Sequence, residues 1–315
     1  MSESLSVAIC CDESFAVHGA IALLSARSHI PQHTSLRCYI VDTGLSQESR
    51  CRFARALCAS NIELHWISPD RDALKRLPLP DGSWLNQSTY ARLFLAELLT
   101  HREKRVIYLD CDTLATADLT PLWRESLSGS VLGACIAPTQ KQVSAVDSRE
   151  VLTRLGMTME SPYFNAGVLV IDIAKWNTLA ITKQAILLIS ENGKQLTYAD
   201  QDALNVVLMD QWKSLDPSWN VASSCFTTKT PEVENQVAHT SILHFTGVKP
   251  GSPNCKHPHR NIYYKTLGRS TWFTHKEFLF WRINLAFRSM TYDAKQVVRC
   301  VCFRTARLLG LSHNA

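Results

Sequence analysis

Short apolar runs alternate with amphipathic stretches throughout the N-terminal part of the chain. Runs typical of buried strands cover residues 7–11, 36–41 and 62–67, and helical periodicity covers residues 17–27 and 47–58 between them. Neighbouring parallel strands must be joined by a long crossover, which a helix supplies. The alternation therefore predicts an α/β domain built on a mainly parallel sheet.

The same alternation continues with longer connections. A loop is predicted between residues 69 and 82, where three prolines and a glycine break the pattern. No internal repeat or low-complexity linker is found up to residue 268, so we expect one domain over residues 1–268 and a helical tail over residues 269–315. The remaining predicted elements are helices over residues 90–99 and 199–209 and strands over residues 105–109, 131–137, 168–173 and 242–245.

Positive charge is concentrated in the tail. The chain carries a net charge of +5, and residues 269–315 alone hold eight lysines and arginines against two acidic residues, which leaves a net charge of −1 for the rest. A nucleic-acid-binding domain is expected to have a positive face of its own. The nearly neutral body therefore indicates a small-molecule enzyme with a basic appendage, and no nucleic-acid partner is expected.

The cysteines and the N-terminal residues favour a cytoplasmic protein. Eleven cysteines are scattered along the chain without a C-x-x-C pair, so neither a disulfide framework nor a zinc ribbon is expected. The first thirty residues lack the order of a secretory signal, and no apolar stretch reaches the roughly 18 residues of a membrane-spanning helix.

Two aspartates, Asp110 and Asp112, directly follow the strand predicted over residues 105–109. Ligands bind at the carboxyl ends of the strands in open α/β sheets, so both carboxylates are expected at the functional edge. Hard carboxylate oxygens suit Mn²⁺ or Mg²⁺, and such an ion offsets the charge of a diphosphate. By itself the Asp-x-Asp pattern is more typical of carboxylates that only cap the next turn.

A second group of residues lies at the end of the strand predicted over residues 242–245. His244 offers an imidazole as a third metal ligand, Gly247 lets backbone approach a phosphate, and Lys249 adds a positive charge. Each of these residues alone is weak evidence. Together with the two aspartates they predict a site for a metal ion and a diphosphate.

Seven segments occur in order along the chain: residues 12–15, 88–93, 105–112, 120–123, 163–169, 200–205 and 244–250. Together they resemble the family 8 retaining glycosyltransferases, in particular bacterial lipopolysaccharide and lipooligosaccharide galactosyl- and glucosyltransferases. A later stretch, residues 257–264, resembles the lipopolysaccharide branch. The resemblance implies a single Rossmann-like, nucleotide-sugar-binding domain of the GT-A type.

The resemblance also implies roles around a metal and a UDP-sugar. Asp110, Asp112 and His244 would hold Mn²⁺, or Mg²⁺, against the UDP diphosphate. Lys249 and the backbone of Gly247 would contact the phosphates. The metal and Lys249 would then stabilise the charge that develops on departing UDP.

Five further residues are assigned to the nucleotide and the sugar on the same ground. Asp12 would lie near the uracil or ribose, and Arg92 and Asn165 would line the donor-sugar pocket. Asp200 and Gln201 would lie there as the catalytic pair, although a neutral amide is a poor nucleophile, which favours a front-face mechanism. The structural alternatives are a turn at Asn165 and a helix-dipole role for Asp200.

Three positions depart from the pattern of the family. Ser14 replaces the usual asparagine after the first strand, and Ala137 stands where relatives often carry aspartate. The usual Lys-Pro-Trp becomes Lys-Pro-Gly at Gly251, and Trp272 is the nearest later candidate for an aromatic wall at the acceptor.

The tail has an amphipathic pattern with basic residues. At about 100° per residue, one side of residues 294–309 is apolar and the other is basic. Such a segment suits an anionic bilayer surface, whereas an ordinary helix packed on the domain is the alternative. The apolar side consists of Val297, Val298, Val301, Cys302, Leu308 and Leu309.

These observations predict an Mn²⁺-dependent transferase of galactose or glucose. UDP-galactose or UDP-glucose would be the donor and a lipopolysaccharide core the acceptor, with the enzyme peripheral on the inner face of the bacterial inner membrane. The alternatives are a transferase for a soluble or protein acceptor and an inactive, membrane-associated UDP-sugar-binding protein.

Overall fold

The computed structural model describes residues 4–58, 61–83, 85–228 and 230–308, with side chains as far as residue 292. The strands are β1 (Ser4–Asp12), β2 (Ser35–Gly44), β3 (Ile62–Ile67), β4 (Arg105–Leu109), β5 (Thr113–Ala115), β6 (Leu132–Ile136), β7 (Phe164–Asp172), β8 (Trp212–Ser214), β9 (Val221–Ala222) and β10 (Ile242–His244). The helices are α1 (Ala16–His29), α2 (Gln47–Ala56), α3 (Arg71–Arg76), α4 (Leu95–Leu99), α5 (Thr120–Arg124), α6 (Arg149–Arg154), α7 (Ile173–Thr178), α8 (Ile181–Asn192), α9 (Asp200–Val207), α10 (Pro231–Ala238), α11 (Arg260–Arg269) and α12 (His275–Leu308).

Within the described residues, seven strands form the main sheet in the order β3-β2-β1-β4-β7-β6-β8. Strands β3, β2, β1 and β4 are parallel, whereas β7 runs antiparallel to both β4 and β6. This largely parallel, mixed sheet confirms the predicted fold class. The apolar run of β7 carries no information on its direction, because a strand buried on both faces is apolar along its whole length.

Hydrophobic cores cover both faces of the main sheet. Successive residues of β1 point to opposite faces, so Val7 and Ile9 pack in one core with α1 and Ala8 packs in the other. All three side chains are 0% exposed, which explains why residues 7–11 of the strand are apolar in succession instead of alternating. With both faces covered, the carboxyl ends of the strands are the place where a ligand can bind.

A second, small sheet in the order β5-β10-β9 follows β4 after a tight turn. Strand β10 pairs antiparallel with β5 and parallel with β9, which places His244 opposite Thr113 and Ala222. This pairing brings His244 beside the turn that carries Asp110 and Asp112, although the two segments are far apart in the sequence.

The structure corrects two local predictions. The loop predicted over residues 69–82 is wrong in part, because α3 forms there with two of its N–H groups bonded to the Asp70 carboxylate at 2.9 and 3.0 Å. The helix predicted over residues 90–99 begins earlier, as a 3₁₀ helix over Gln87–Phe94, and continues as α4. Strands β3 and β4 have the predicted bounds.

Helix α12 packs on the domain along one side. Trp281 lies over Gly251, Leu285 is 9% exposed, and the Ser289 hydroxyl donates to the Pro253 carbonyl at 2.8 Å. The opposite side carries the exposed apolar side chains Leu279, Phe280, Ile283, Phe287 and Met290. The stripe predicted between Val297 and Leu309 lies outside the described side chains. In the described part of the chain, no helix is both long and apolar enough to cross a bilayer.

Candidate active site

Two adjoining cavities lie at the carboxyl ends of β1 and β4. Their volumes are about 380 and 560 Å³, and Arg92, Asp110 and Asp112 line both of them. The fold therefore brings residues from six of the seven family-like segments to one place, whereas residues 120–123 line neither cavity. The predicted site residues that line one or both cavities are Asp12, Arg92, Asp110, Asp112, Asn165, Asp200, Gln201, His244, Gly247 and Lys249.

Asp110 and Asp112 lie on the turn between β4 and β5. The Asp110 N–H donates to the Gly167 carbonyl of β7 at 2.8 Å. The Asp110 carbonyl accepts the N–H and the hydroxyl of Thr113 at 3.1 and 2.8 Å. These bonds hold the turn in a conformation that directs both carboxylates into the cavities.

Each of the two carboxylates is held through one oxygen and presents the other to His244. Asp110 Oδ1 pairs with Arg92 at 3.1 Å, and Asp112 Oδ2 pairs with Lys249. The other oxygens, Asp110 Oδ2 and Asp112 Oδ1, lie 3.7 and 3.2 Å from His244 Nε2. The three potential ligand atoms all lie within 4.8 Å of one another.

This donor set fits a divalent cation. Two oxygen ligands favour Mn²⁺ or Mg²⁺. Adjacent ligands of an octahedral ion are about 3.0 Å apart and opposite ligands about 4.2 Å for bonds of about 2.1 Å, and these values bracket the 3.2 and 3.7 Å separations to His244. Burial alone would raise the pKa of Asp112, but the interactions with His244 and Lys249 outweigh it and lower the pKa well below its usual range. The Asp112 carboxylate is therefore ionised and able to bind a cation.

Arg92 connects Asp110 with Asp200. Its side chain is 11% exposed, and its guanidinium lies 3.1 Å from Asp110 and 2.7 Å from Asp200. It also donates to the Ala166 carbonyl at 2.7 Å and lies 4.9 Å above the Tyr108 ring. Burial alone would lower the pKa of Arg92, but the two carboxylates raise it well above its usual value. Arg92 is thus a fixed cation between the metal-ligand cluster and the larger cavity.

Asp200 is the first residue of α9 and is 2% exposed. Its Oδ1 accepts the Thr89 hydroxyl at 2.7 Å, and its Oδ2 pairs with Arg92. Burial raises the pKa of Asp200 to about 6, against the lowering effects of Arg92 and Thr89. At neutral pH the carboxylate is mainly ionised, so it can accept a hydrogen bond from a ligand hydroxyl in the larger cavity.

The carbonyl oxygen of Gln201 is fully engaged. It accepts the Ala166 N–H and the Asn165 side-chain amide, both at 3.0 Å. The Gln201 amide nitrogen donates to the Tyr163 hydroxyl at 3.0 Å. With two donors on its oxygen, Gln201 is held rigidly and is a still weaker nucleophile than a free amide.

Asp12 has local partners as well as a place in the smaller cavity. It accepts the Ser14 hydroxyl at 2.6 Å, the Phe15 N–H at 3.2 Å and the Asn86 side-chain amide at 2.8 Å. Burial would raise the pKa of Asp12, but these hydrogen bonds lower it. Ser14, which departs from the family pattern, thus holds Asp12 in position.

Gly247 and Lys249 form the turn after β10. Gly247 has a φ of +76°, and no atom lies within 4 Å of the position that a Cβ would take. The left-handed backbone, and not a lack of space, therefore favours glycine here. Lys249 folds back across the turn and donates to the Phe245 carbonyl at 2.9 Å.

Sequence reasoning misses three polar residues at the site. Thr89 lies within one of the seven segments, and its hydroxyl donates to Asp200 at 2.7 Å. Asn86 binds Asp12, and Asn220 lies 2.8 Å from His244. In the sequence alone, nothing distinguishes these two asparagines from residues of ordinary turns.

Trp272 does not form the aromatic wall that was considered for it. Its side chain is 4% exposed and packs edge-on against Phe53, with ring centroids 5.2 Å apart, and it lines neither cavity. Ala137 does line the larger cavity, together with the exposed carboxylate of Asp147.

Comparisons with known proteins identify the family and similar folds. The family described as glycosyl transferase family 8 matches residues 6–253. General stress protein A of Bacillus subtilis is 28% identical over 86% of this chain and 96% of its own length. Lipopolysaccharide 1,2-glucosyltransferase of Escherichia coli is 26% identical over 86% of this chain and 80% of its own length. The crystal structure of the galactosyltransferase LgtC with donor and acceptor sugar analogs is similar with a TM-score of 0.74 and 25% identity, over 86% of this chain and 98% of that one.

Proposed function

The chain belongs to glycosyl transferase family 8, and from this membership we propose that it is a retaining enzyme that transfers galactose or glucose from a UDP-sugar to a lipopolysaccharide core. The observation that carries the proposal is the convergence of all ten predicted site residues on two adjoining cavities around one cluster of potential metal ligands. A glucosyltransferase and a galactosyltransferase among the similar proteins support a hexose donor.

In this proposal the smaller cavity takes the nucleotide and the larger one the sugar. Asp12 and Phe15 line the smaller cavity, where Asp12 would bind the ribose or uracil. Asp200, Gln201 and Asn165 line the larger one, where the ionised Asp200 would orient sugar hydroxyls. Asp110 and Asp112 line both cavities, at the position where a diphosphate would connect the two halves of the donor.

The diphosphate would be held by fixed positive charge. Asp110, Asp112 and His244 would hold Mn²⁺, which when bound supplies charge neutralisation for the departing UDP. Lys249 would donate to a phosphate oxygen, and Gly247 would let the backbone approach it. Arg92 would keep Asp110 and Asp200 in place by its two ion pairs.

We place the chemical step on one face of the sugar. The bond from the acceptor oxygen to the anomeric carbon forms on the face where the bond to the phosphate oxygen breaks, and the acceptor proton passes to that phosphate oxygen. The engagement of the Gln201 carbonyl by two donors supports this route over attack by Gln201. Gln201 then shapes the pocket beside the reacting carbon.

A donor screen tests the proposed function. UDP release with Mn²⁺ is measured for UDP-galactose and UDP-glucose, with and without a truncated core oligosaccharide as acceptor. We expect one hexose donor to be consumed rapidly only when the core oligosaccharide is present, and Asp112→Asn to remove this activity. Turnover only with a soluble sugar or protein acceptor would overturn the lipopolysaccharide assignment. If no UDP is released under any condition, the proposal that the protein is an active transferase is overturned.

We also propose that α12 attaches the enzyme to an anionic membrane surface on the cytoplasmic side. Its exposed apolar side chains include Phe280 and Phe287, which are 69% and 65% exposed. Exposed basic residues of the same helix, Lys276 and Arg288, would add charge attraction to apolar burial. A surface-bound enzyme would meet an acceptor that is itself anchored in the membrane.

The proposal includes two regions of the chain that meet at residue 268. Residues 1–268 would form the catalytic domain and residues 269–315 a basic helical region. The first turns of that region pack on the domain, since Arg52 pairs with Glu277 at 2.9 Å and Leu285 joins one of the two cores. Substitutions on the exposed side of α12 therefore test attachment more cleanly than truncation.

A further inference from the structure

A buried asparagine lies directly behind the proposed metal ligand His244. Asn220 is 1% exposed and ends the 3₁₀ turn Pro217–Asn220, immediately before β9. Because β9 pairs with β10, this position places the Asn220 side chain beside the imidazole. Asn220 Oδ1 lies 2.8 Å from His244 Nδ1, on the opposite side of the ring from Asp110 and Asp112.

The orientation of the neighbouring side-chain amides follows from backbone groups that can only donate. The Gly167 N–H lies 3.0 Å from one terminal atom of Asn165, which must therefore be the oxygen. The Ala166 N–H lies 3.0 Å from one terminal atom of Gln201, which must also be the oxygen. The Asn165 nitrogen then donates to that Gln201 oxygen at 3.0 Å, so the two assignments agree.

These assignments determine the orientation of Asn220 and the tautomer of His244. One terminal atom of Asn220 lies 2.8 Å from the Asn165 oxygen, so it must be the nitrogen. The other terminal atom is then the oxygen, and it faces His244 Nδ1. A hydrogen bond at that distance requires the proton on Nδ1, so in the neutral imidazole, the form that binds a metal, the lone pair is on Nε2, which faces the two aspartates.

We propose that Asn220 is a positioning residue that fixes the His244 tautomer and ring orientation for metal binding, an inference that rests on the proposed metal site. Histidine ligands of metals usually donate their second ring N–H to an acceptor that fixes the ring. Here the acceptor is a neutral amide, which is itself held by Asn165. The backbone N–H groups of β7 thus determine, through two amide side chains, which imidazole nitrogen is free to bind the ion.

Mn²⁺ binding by the protein without UDP-sugar tests this inference. The free ion is measured by its electron paramagnetic resonance signal during titration of wild type, Asn220→Leu and Asn220→Asp. Loss of such a partner typically weakens metal affinity 10- to 100-fold, and we expect a loss of about this size for Asn220→Leu. Asn220→Asp keeps an acceptor for Nδ1–H but loses the hydrogen bond to Asn165 Oδ1, so it is expected to bind Mn²⁺ more tightly than Asn220→Leu.

A double-mutant cycle separates positioning from general damage. In the His244→Ala background, Asn220→Leu should cause no further loss of Mn²⁺ affinity, because its effect passes through the ring. Asn177→Leu is the matched control: Asn177 also makes two side-chain hydrogen bonds, to Ala96 O at 3.2 Å and Thr100 Oγ1 at 2.9 Å, away from the cavities. It should retain wild-type affinity.

The outcomes distinguish this inference from the proposed function. Wild-type protein that binds no Mn²⁺ would overturn the proposed metal site and, with it, this inference. If wild type binds Mn²⁺ and Asn220→Leu binds it equally tightly, only the inference about Asn220 is overturned. The same conclusion follows if Asn220→Leu lowers Mn²⁺ affinity as much in the His244→Ala background as in wild type. If thermal melts show that Asn220→Leu is unfolded, Asn220→Ala, which removes both hydrogen bonds without adding bulk, takes its place under the same criteria.

Discussion

Gly167 has no room for a side chain because the His244 ring packs on its backbone. A Cβ at this position would lie 2.7 Å from His244 Nδ1 and 3.0 Å from Asn165 Oδ1. Ordinary contacts between heavy atoms are about 3.5–4.0 Å, so the Gly167→Ala methyl group would displace the ring by roughly 1 Å. Metal–ligand distances tolerate about 0.2 Å, so we expect the imidazole to be lost as a ligand.

The expected loss of affinity follows from this displacement. Disturbing only an outer partner of a metal ligand costs 10- to 100-fold in affinity, and losing the ligand itself should reach at least about 100-fold, or about 2.7 kcal/mol. Gly167 lies in β7 outside the left-handed region, so backbone strain does not add to the effect. The cost to folding should be that of overpacking, about 1–3 kcal/mol.

The assay combines Mn²⁺ titration with urea unfolding. Gly133→Ala in β6 is the control, because its Cβ would lie 2.8 Å from Leu215 Cδ2 in a core position away from the cavities. This control should lose comparable stability and keep wild-type Mn²⁺ affinity. Gly167→Ala protein that binds Mn²⁺ as tightly as wild type would refute the claim that His244 is a ligand held against this backbone.

Four further changes have defined outcomes. Asp112→Asn should abolish transfer and Mn²⁺ binding in a protein that still folds but melts at a lower temperature, because the buried pair with Lys249 is lost. Asp118→Asn, which alters a carboxylate that accepts the Thr120 N–H at 2.9 Å, should keep both transfer and Mn²⁺ binding; full wild-type activity in EDTA would contradict the metal assignment. Asp200→Ala should lower turnover strongly with little change in UDP affinity measured by calorimetry, and the reverse pattern would place Asp200 at the nucleotide. Burial raises the pKa of Asp200 to about 6 in the folded protein, so protonation of Asp200 stabilises the native state. This stabilisation is present below about pH 4 and is lost as the pH rises through about 6. Asp200→Asn should therefore gain up to about 3 kcal/mol of unfolding free energy relative to wild type between pH 4 and pH 7 in urea titrations, and a difference that does not change with pH would contradict this. Combined Phe280→Ser and Phe287→Ser substitutions should weaken cosedimentation with anionic vesicles at low salt without lowering the melting temperature, since both rings are exposed. The control Leu285→Ser, at a buried position, should lower the melting temperature. Wild-type protein that stays in the supernatant would contradict the membrane proposal.

Much of the framework could be predicted from local pattern. Strands β3 and β4 have the predicted bounds. Strand β4 is an apolar run because it is buried on both faces, whereas β3, at the edge of the sheet, alternates apolar and polar residues. The placement of Asp110 and Asp112 directly after β4 followed from the end of such a run. The 3₁₀ helix before α4 could not be predicted in the same way, because periodicity does not distinguish the two kinds of helix over so few residues.

Patterns among neighbouring residues were enough to predict seven strands in their order, the excess of charge in the tail and the residue types at the strand ends, but not the short strands β5, β8 and β9. The antiparallel direction of β7 and the pairing of β10 with β5 could not be predicted, since strand partners are selected by packing between segments far apart in the chain. The position of Asn220 and Gly167 behind His244 likewise depends on the fold. No periodic pattern in the sequence marks Asn220, which fixes the His244 ring, or Gly167, whose backbone makes room for it. Their contacts with His244 form only when three distant strands come together.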